Sequence, residues 1–90
     1  MSFTEEQEKI FLYCVNNTER LKQNVADLVS KRNTLLREQP EDLHEDILYQ
    51  FKKACHGRLS VVIAQNLSVT SEEIFVFLEE TFNLEVLLNG

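Results

Sequence analysis

An apolar stripe with helical spacing runs through the first 36 residues of the chain. Thr4 and Gln7 have the spacing of a capping box and enclose two glutamates, which predicts that a helix begins here with acids at the positive end of its dipole. The stripe keeps one heptad frame, and its members are Phe11, Cys14, Val15, Leu21, Val25, Leu28, Val29, Leu35 and Leu36. We expect one long helix with a weak point near Asn16. The capping residues Asn16 and Asn17 leave two shorter helices as the alternative.

A proline separates this stripe from a second helical pattern. Pro40 suits the first turn of a helix and disfavours helix in the residue before it. The apolar positions that follow have the spacing i, i+4, i+5, i+8 of a narrow helical stripe and are Leu43, Ile47, Leu48, Phe51 and Cys55. We expect this helix to run to about Ala54, with Gly57 as the left-handed residue just after its end.

Two further short helices are predicted between Leu59 and the end of the chain. Residues 59–67 are rich in β-branched side chains, which also suit a strand, but the helical surroundings favour a short helix. Thr70 and Glu73 have the spacing of a second capping box, so a helix is expected from there to about Phe82. The final apolar run, residues 84–88, either extends that helix or leaves it as a tail.

Together these patterns predict one all-α domain over residues 1–90. We expect a small four- to five-helix bundle with a long N-terminal helix and a helix-turn-helix-like C-terminal pair. The hydrophobic fraction of 43%, with one Pro and two Gly, is typical of an ordered globular chain. A chain this short buries only about 60 to 65% of its unfolded surface, so association with another chain is a natural source of extra stability.

Residues 60–79 resemble the 20-residue bihelical unit common in DNA-binding domains. Ala64 stands where the first helix needs a small residue against the second, and Ser68 stands where the turn usually has glycine. The remaining core positions of the unit are filled by Ile63, Leu67, Val69, Ile74 and Phe77. This resemblance implies an alternative function as a helix-turn-helix DNA-binding transcription regulator.

The charge of the chain opposes binding to nucleic acid. The net charge is −6, and residues 59–90 contain five Glu but no Lys, Arg or His. The positions that reach the bases in such DNA-binding units here include Glu72 and Glu79, which would face phosphates without a basic residue to compensate them. We therefore expect binding neither to nucleic acid nor to an anionic membrane surface.

The predicted helix after Thr70 has apolar side chains almost all round. Such a helix is either the centre of a monomeric bundle or is covered partly by another chain, and a small domain favours the second. We expect a non-enzymatic regulatory or adaptor protein, homodimeric, that binds a partner protein through this apolar and acidic helix. The predicted contact residues are Glu72, Phe75, Val76 and Glu79. As an alternative dimer contact, the mildly basic middle of one copy meets the acidic C-terminal segment of another.

The residue pattern predicts neither a catalytic site nor a cofactor or metal site. Cys55 and His56 are adjacent, so in a helix they point about 100° apart and cannot act as nucleophile and base. Together with Cys14 and His44 they lack the spacing of zinc ligands, and Glu41 with His44 matches only half of a di-iron motif. Two cysteines and a polar, acidic start predict a cytoplasmic protein, and no apolar run is long enough to span a membrane.

Overall fold

The structure, a computed structural model, describes residues 2–89 and confirms the all-α class. Within those residues there are six α-helices and one short 3-10 helix, Glu41–Leu43, and no strand. The α-helices are α1 (Glu5–Asn16), α2 (Thr18–Asn24), α3 (Ala26–Glu38), α4 (His44–Ala64), α5 (Ser71–Thr81) and α6 (Leu84–Asn89). None of them is both long and apolar enough to cross a bilayer.

The N-terminal stripe forms three consecutive helices instead of one. The predicted capping box is present, because the Thr4 hydroxyl accepts from the Gln7 amide at 3.1 Å and the Thr4 amide donates to the Gln7 side chain at 3.0 Å. At the break after α1, the Asn17 side chain donates to the carbonyl four residues back at 2.8 Å, which confirms the predicted weak point.

A second break, which the sequence pattern did not predict, lies at Val25 between α2 and α3. The Asn24 side chain repeats the arrangement seen at the first break and donates to the Arg20 carbonyl at 2.9 Å. Asn24 is the residue from which this break could have been predicted. At the bend, Val25 is fully buried, with φ −114° and ψ 9° outside the helical range.

Helix α4 continues through Gly57 to Ala64, so three predictions about this region are wrong. The helix does not end near Ala54, Gly57 is not a left-handed terminal residue, and residues 59–67 do not form a separate helix. Leu59 and Ile63, two and six residues after Gly57 in the same helix, are fully buried. Their burial outweighs the cost of about 1 kcal/mol for glycine in a helix interior.

The core forms around α4, against which α5, α3 and α2 pack. Helix α4 contributes a buried stripe to it, α5 contributes a second, and α3 contributes no buried residue. The buried apolar residues are Ile10, Cys14, Leu21, Val25, Phe51, Cys55, Leu59, Ile63, Ile74, Phe77, Leu78, Leu84 and Leu87. The molecule is elongated, 44 Å long and 24 by 22 Å across.

The C-terminal helices meet at a corner formed by Phe82 and Asn83. Helix α5 begins where its capping residue predicts, because the Thr70 hydroxyl accepts from the Glu73 amide at 3.2 Å. The apolar run beyond the corner neither extends α5 nor forms a loose tail. It forms the separate helix α6, whose first turn is capped by the Asn83 side chain, and whose Leu84 and Leu87 enter the core.

Replacing Gly57 by alanine should stabilise the fold. A Cβ placed on Gly57 meets no atom within 4 Å, and alanine is better than glycine in a helix interior by about 1 kcal/mol. Urea unfolding followed by circular dichroism measures the change. The matched control Ala54→Gly, one turn earlier on an exposed position of α4, should destabilise by a similar amount. A loss of stability in Gly57→Ala would instead indicate that the helix ends there.

Candidate functional site

Of the four predicted contact residues, Glu72 and Val76 lie on the outer side of α5, whereas Phe75 and Glu79 contact α4 of the same chain. The Glu79 carboxylate accepts a hydrogen bond from Lys53 of α4 and raises the pKa of that ammonium group. The ring of Phe75 lies edge-on to His56, with 6.3 Å between centroids, and 5.5 Å from the Lys53 nitrogen. Glu72 and Val76 face solvent, and Val76 is 44% exposed.

Helix α5 is covered by its own bundle more completely than its composition predicts. Ile74, Phe77 and Leu78 are buried, and Phe75 is half-buried against α4. Within residues 2–89, Val76 is the one large apolar side chain of α5 that remains exposed, at 44%. The main uncovered apolar surface therefore lies elsewhere.

That surface is a groove between α1 and the corner where α5 meets α6. The groove has a volume of about 660 Å³ and is almost entirely apolar. Val15 on α1 is 57% exposed and Val86 on α6 is 64% exposed, although both are aliphatic. We call this the α1–α6 groove, and it is lined by Phe3, Phe11, Cys14, Val15, Thr18, Phe77, Thr81, Phe82, Asn83, Val86 and Leu87.

Three aromatic rings in the lining of the groove are in contact through Phe3. The ring of Phe3 lies 5.6 Å from that of Phe11 and 5.5 Å from that of Phe77, the second pair edge to face. Such pairs stabilise by about 0.5 to 1.5 kcal/mol beyond the area they bury. Phe3 precedes α1 and so belongs to no helical period, which is why the sequence pattern did not single it out.

Three carboxylates lie within about one helical turn of residues that line the groove. Glu8 lies one turn before Phe11 on α1, Glu73 and Glu80 lie about one turn to either side of Phe77 on α5, and all three are exposed. None of the three forms an ion pair within residues 2–89. The groove is thus an apolar strip with an acidic rim.

Within one copy, the basic middle of the chain already meets the acidic C-terminal segment. Lys53 pairs with Glu79, and Arg32 of α3 lies 3.9 Å from Glu85 of α6. The contact that the sequence suggested between two copies is therefore made inside one. With Glu79 and Glu85 paired, Glu72, Glu73 and Glu80 are the C-terminal glutamates that form no ion pair within residues 2–89.

The two thiols are buried, and neither is in a disulfide. Burial raises the pKa of both Cys14 and Cys55 to about 11. A thiol with such a pKa is protonated at neutral pH and is a poor nucleophile. Within residues 2–89, no group of three or more His, Cys, Asp and Glu side chains is placed to hold a metal ion.

The bihelical core predicted from residues 60–79 is present. Ile63, Ile74 and Phe77 are buried, while Leu67 and Val69 of the connecting turn pack partly buried against the core. The first helix is longer than in the DNA-binding unit, because it is the end of the 21-residue α4. The exposed first turn of the second helix presents two glutamates and no basic residue.

Comparison with protein-family models, curated proteins and solved structures finds no match to this chain. The candidate functional site is therefore identified from geometry alone, and it is the α1–α6 groove with its acidic rim. The outward residues Glu72 and Val76 lie on the same helix as one wall of that groove.

Buried His56 should make the fold sensitive to mild acid. Its side chain is fully buried, and neither ring nitrogen has a hydrogen-bond partner. Burial, followed by the charge of Lys52, lowers the pKa of His56 below its ordinary 6.5. Since the unfolded chain then binds a proton at higher pH than the folded chain does, stability should fall as the pH drops below 6.5.

Urea unfolding at a series of pH values measures this effect. The variant His56→Leu should lose the part of the decline that begins near pH 6.5, whereas His44→Gln, which removes the half-exposed histidine, should keep it. Identical pH profiles for the wild type and His56→Leu would show that His56 does not cause the sensitivity.

Proposed function

We propose that this protein is a non-enzymatic interaction module, a small cytoplasmic regulatory or adaptor protein. Its α1–α6 groove holds an apolar, positively charged helix of a partner protein. The observation that carries the proposal is the uncovered apolar lining of the groove, with Val15 and Val86 more than half exposed in a domain of 90 residues. A contiguous apolar surface framed by polar residues is typical of a protein-binding site.

The shape of the groove suits an amphipathic helix. It encloses a volume of about 660 Å³. Among the lining residues, Phe11 and Val15 lie one turn apart on α1 and Thr18 follows at the start of α2. A partner helix can place anchors three to four residues apart against them. Covering each exposed aliphatic or aromatic side chain contributes about 1.5 to 3 kcal/mol before the cost of association.

The rim defines the charge of the partner. Glu8, Glu73 and Glu80 are exposed and form no ion pair within residues 2–89. A segment with Lys or Arg beside its apolar anchors complements these carboxylates, while an acidic segment is repelled. Glu72, on the outer side of α5, adds to the same field.

Three features support a binding role over catalysis. Both thiols are protonated at neutral pH because burial raises their pKa to about 11. His56 is sealed from solvent and cannot reach a substrate. The groove is lined by apolar side chains, with only Thr and Asn among its polar residues. The cytoplasmic location is proposed because Cys14 and Cys55 are both free.

A synthetic peptide of leucine and lysine in amphipathic order should bind the groove. Fluorescence anisotropy of the labelled peptide measures its affinity, and a matched peptide with glutamate in place of lysine should bind at least about tenfold more weakly, a difference of about 1.4 kcal/mol. The double variant Val15→Asn, Val86→Asn should weaken binding of the lysine peptide by at least a similar factor. The control Val61→Asn, on an exposed position of α4 outside the groove, should not.

The rim is tested separately with neutral isosteres. Glu73→Gln with Glu80→Gln should weaken binding of the lysine peptide and reduce its dependence on salt, because surface charges act through a screened field. Glu45→Gln with Asp46→Asn, outside the groove, is the matched control. Equal binding of the lysine and glutamate peptides, or of wild type and the valine variant, would refute the proposal.

The competing hypothesis is DNA recognition through residues 60–79, favoured by the well-formed bihelical core. The two glutamates in the exposed first turn of α5 oppose it. We expect no anisotropy change with a mixed-sequence duplex even at low salt. Binding that weakens steeply with added salt would reveal phosphate contacts and support the DNA hypothesis instead.

A further inference from the structure

The outer end of the α3–α4 hairpin is the least covered part of the molecule. Residues 26–50 form an unbroken stretch in which not one side chain is buried. We call residues 30–50 the hairpin arm. It comprises the outer part of α3, the turn at Pro40, the 3-10 helix and the first two turns of α4.

The arm carries aliphatic side chains that the core does not reach. Five of them neither belong to the buried core nor pack against it: Leu35, Leu36, Leu43, Ile47 and Leu48. Leu43 and Leu48 are 44% and 45% exposed. A pair of helices leaves the side chains between them partly exposed. Packing of four helices in a bundle is a common way to bury such side chains.

The charges of the arm are divided between its two helices. Lys31, Arg37 and one acid, Glu38, lie on α3, whereas the start of α4 and the 3-10 helix before it carry Glu41, Asp42, Glu45 and Asp46. None of these seven side chains forms an ion pair within residues 2–89. The unpaired charge of the arm is thus net positive on α3 and negative at the start of α4.

We propose that two copies of the chain join through their hairpin arms in a four-helix bundle. In this dimer α3 of each copy lies against the acidic start of α4 of the other. A two-fold axis makes every such contact twice, so each α3, with its net positive charge, meets the acidic start of an α4. A second copy supplies the complementary pattern by symmetry, which identifies it as the occupant of this face.

This inference does not depend on the proposed function, because the arm and the α1–α6 groove share no residue. It also differs from a contact between the basic middle of one copy and the C-terminal segment of another. The C-terminal carboxylates Glu79 and Glu85 already pair with Lys53 and Arg32 of their own chain.

Sedimentation equilibrium of the full chain over a range of concentrations tests the dimer. Wild type should reach the mass of two 10.5 kDa chains. The variant Leu43→Gln, Leu48→Gln should raise the dissociation constant at least about tenfold. The control Leu12→Gln, Val61→Gln, at exposed positions outside the arm, should leave it unchanged. Thermal unfolding verifies that both variants are folded.

Charge reversal tests the orientation of the two copies. Lys31→Glu with Arg37→Glu reverses the two unpaired basic residues of the arm, and Glu41→Lys with Glu45→Lys removes its excess of acid. Each variant alone should dimerise more weakly than wild type because like charges are opposed, and an equimolar mixture should recover the dimer as a heterodimer. The weakening in each variant alone distinguishes this arrangement from one in which like helices face each other, because that arrangement already opposes like charges in wild type.

Three results would overturn the inference. The first is a monomeric wild type at the highest concentration, and the second is a dimer unaffected by the leucine variant. The third is a mixture of charge-reversed chains that associates no better than either chain alone. A dimer weakened by Val15→Asn and not by Leu43→Gln, Leu48→Gln would place the contact in the groove and refute the arm.

Discussion

The burial of one continuous stripe along α4 is the interaction on which the rest of this structure depends. Phe51, Cys55, Leu59 and Ile63 are buried at successive turns of that helix, and α5, α3 and α2 pack against it. Each large buried side chain contributes about 1.5 to 3 kcal/mol, more than the cost of about 1 kcal/mol for Gly57 in the helix. If α4 ended at Gly57, Leu59 and Ile63 would leave the stripe and α5 would lose its main contact.

A single central helix cannot cover every apolar side chain of the helices around it. The core ends before the outer part of the α3–α4 hairpin, where Leu43 and Leu48 remain exposed. It also leaves Val15 and Val86 exposed on either side of the α1–α6 groove. Small domains bury a smaller share of their surface than large ones do, so such uncovered regions are expected where another chain contributes.

The same packing decides which charges remain available for a partner. Lys53 pairs with Glu79 of α5, and Arg32 pairs with Glu85 of α6. Arg58 of α4 pairs with Asp27 of α3, and this contact lowers the pKa of the Asp27 carboxyl. Charges without an ion pair within residues 2–89 remain near the groove and along the hairpin arm, two surfaces that also expose aliphatic side chains.

The sequence by itself determined the helical class, the starts of α1 and α5 at Thr4 and Thr70, and the core positions of the bihelical pair. These features depend on hydrogen bonds and periodicities within a few residues. Tertiary structure alone decided that α4 continues through Gly57 and that the chain bends at Val25. It also decided that Phe75 and Glu79 contact α4 and that a groove lies beside Phe3. Those outcomes depend on burial among residues far apart in the chain, whose free energy exceeds local preference.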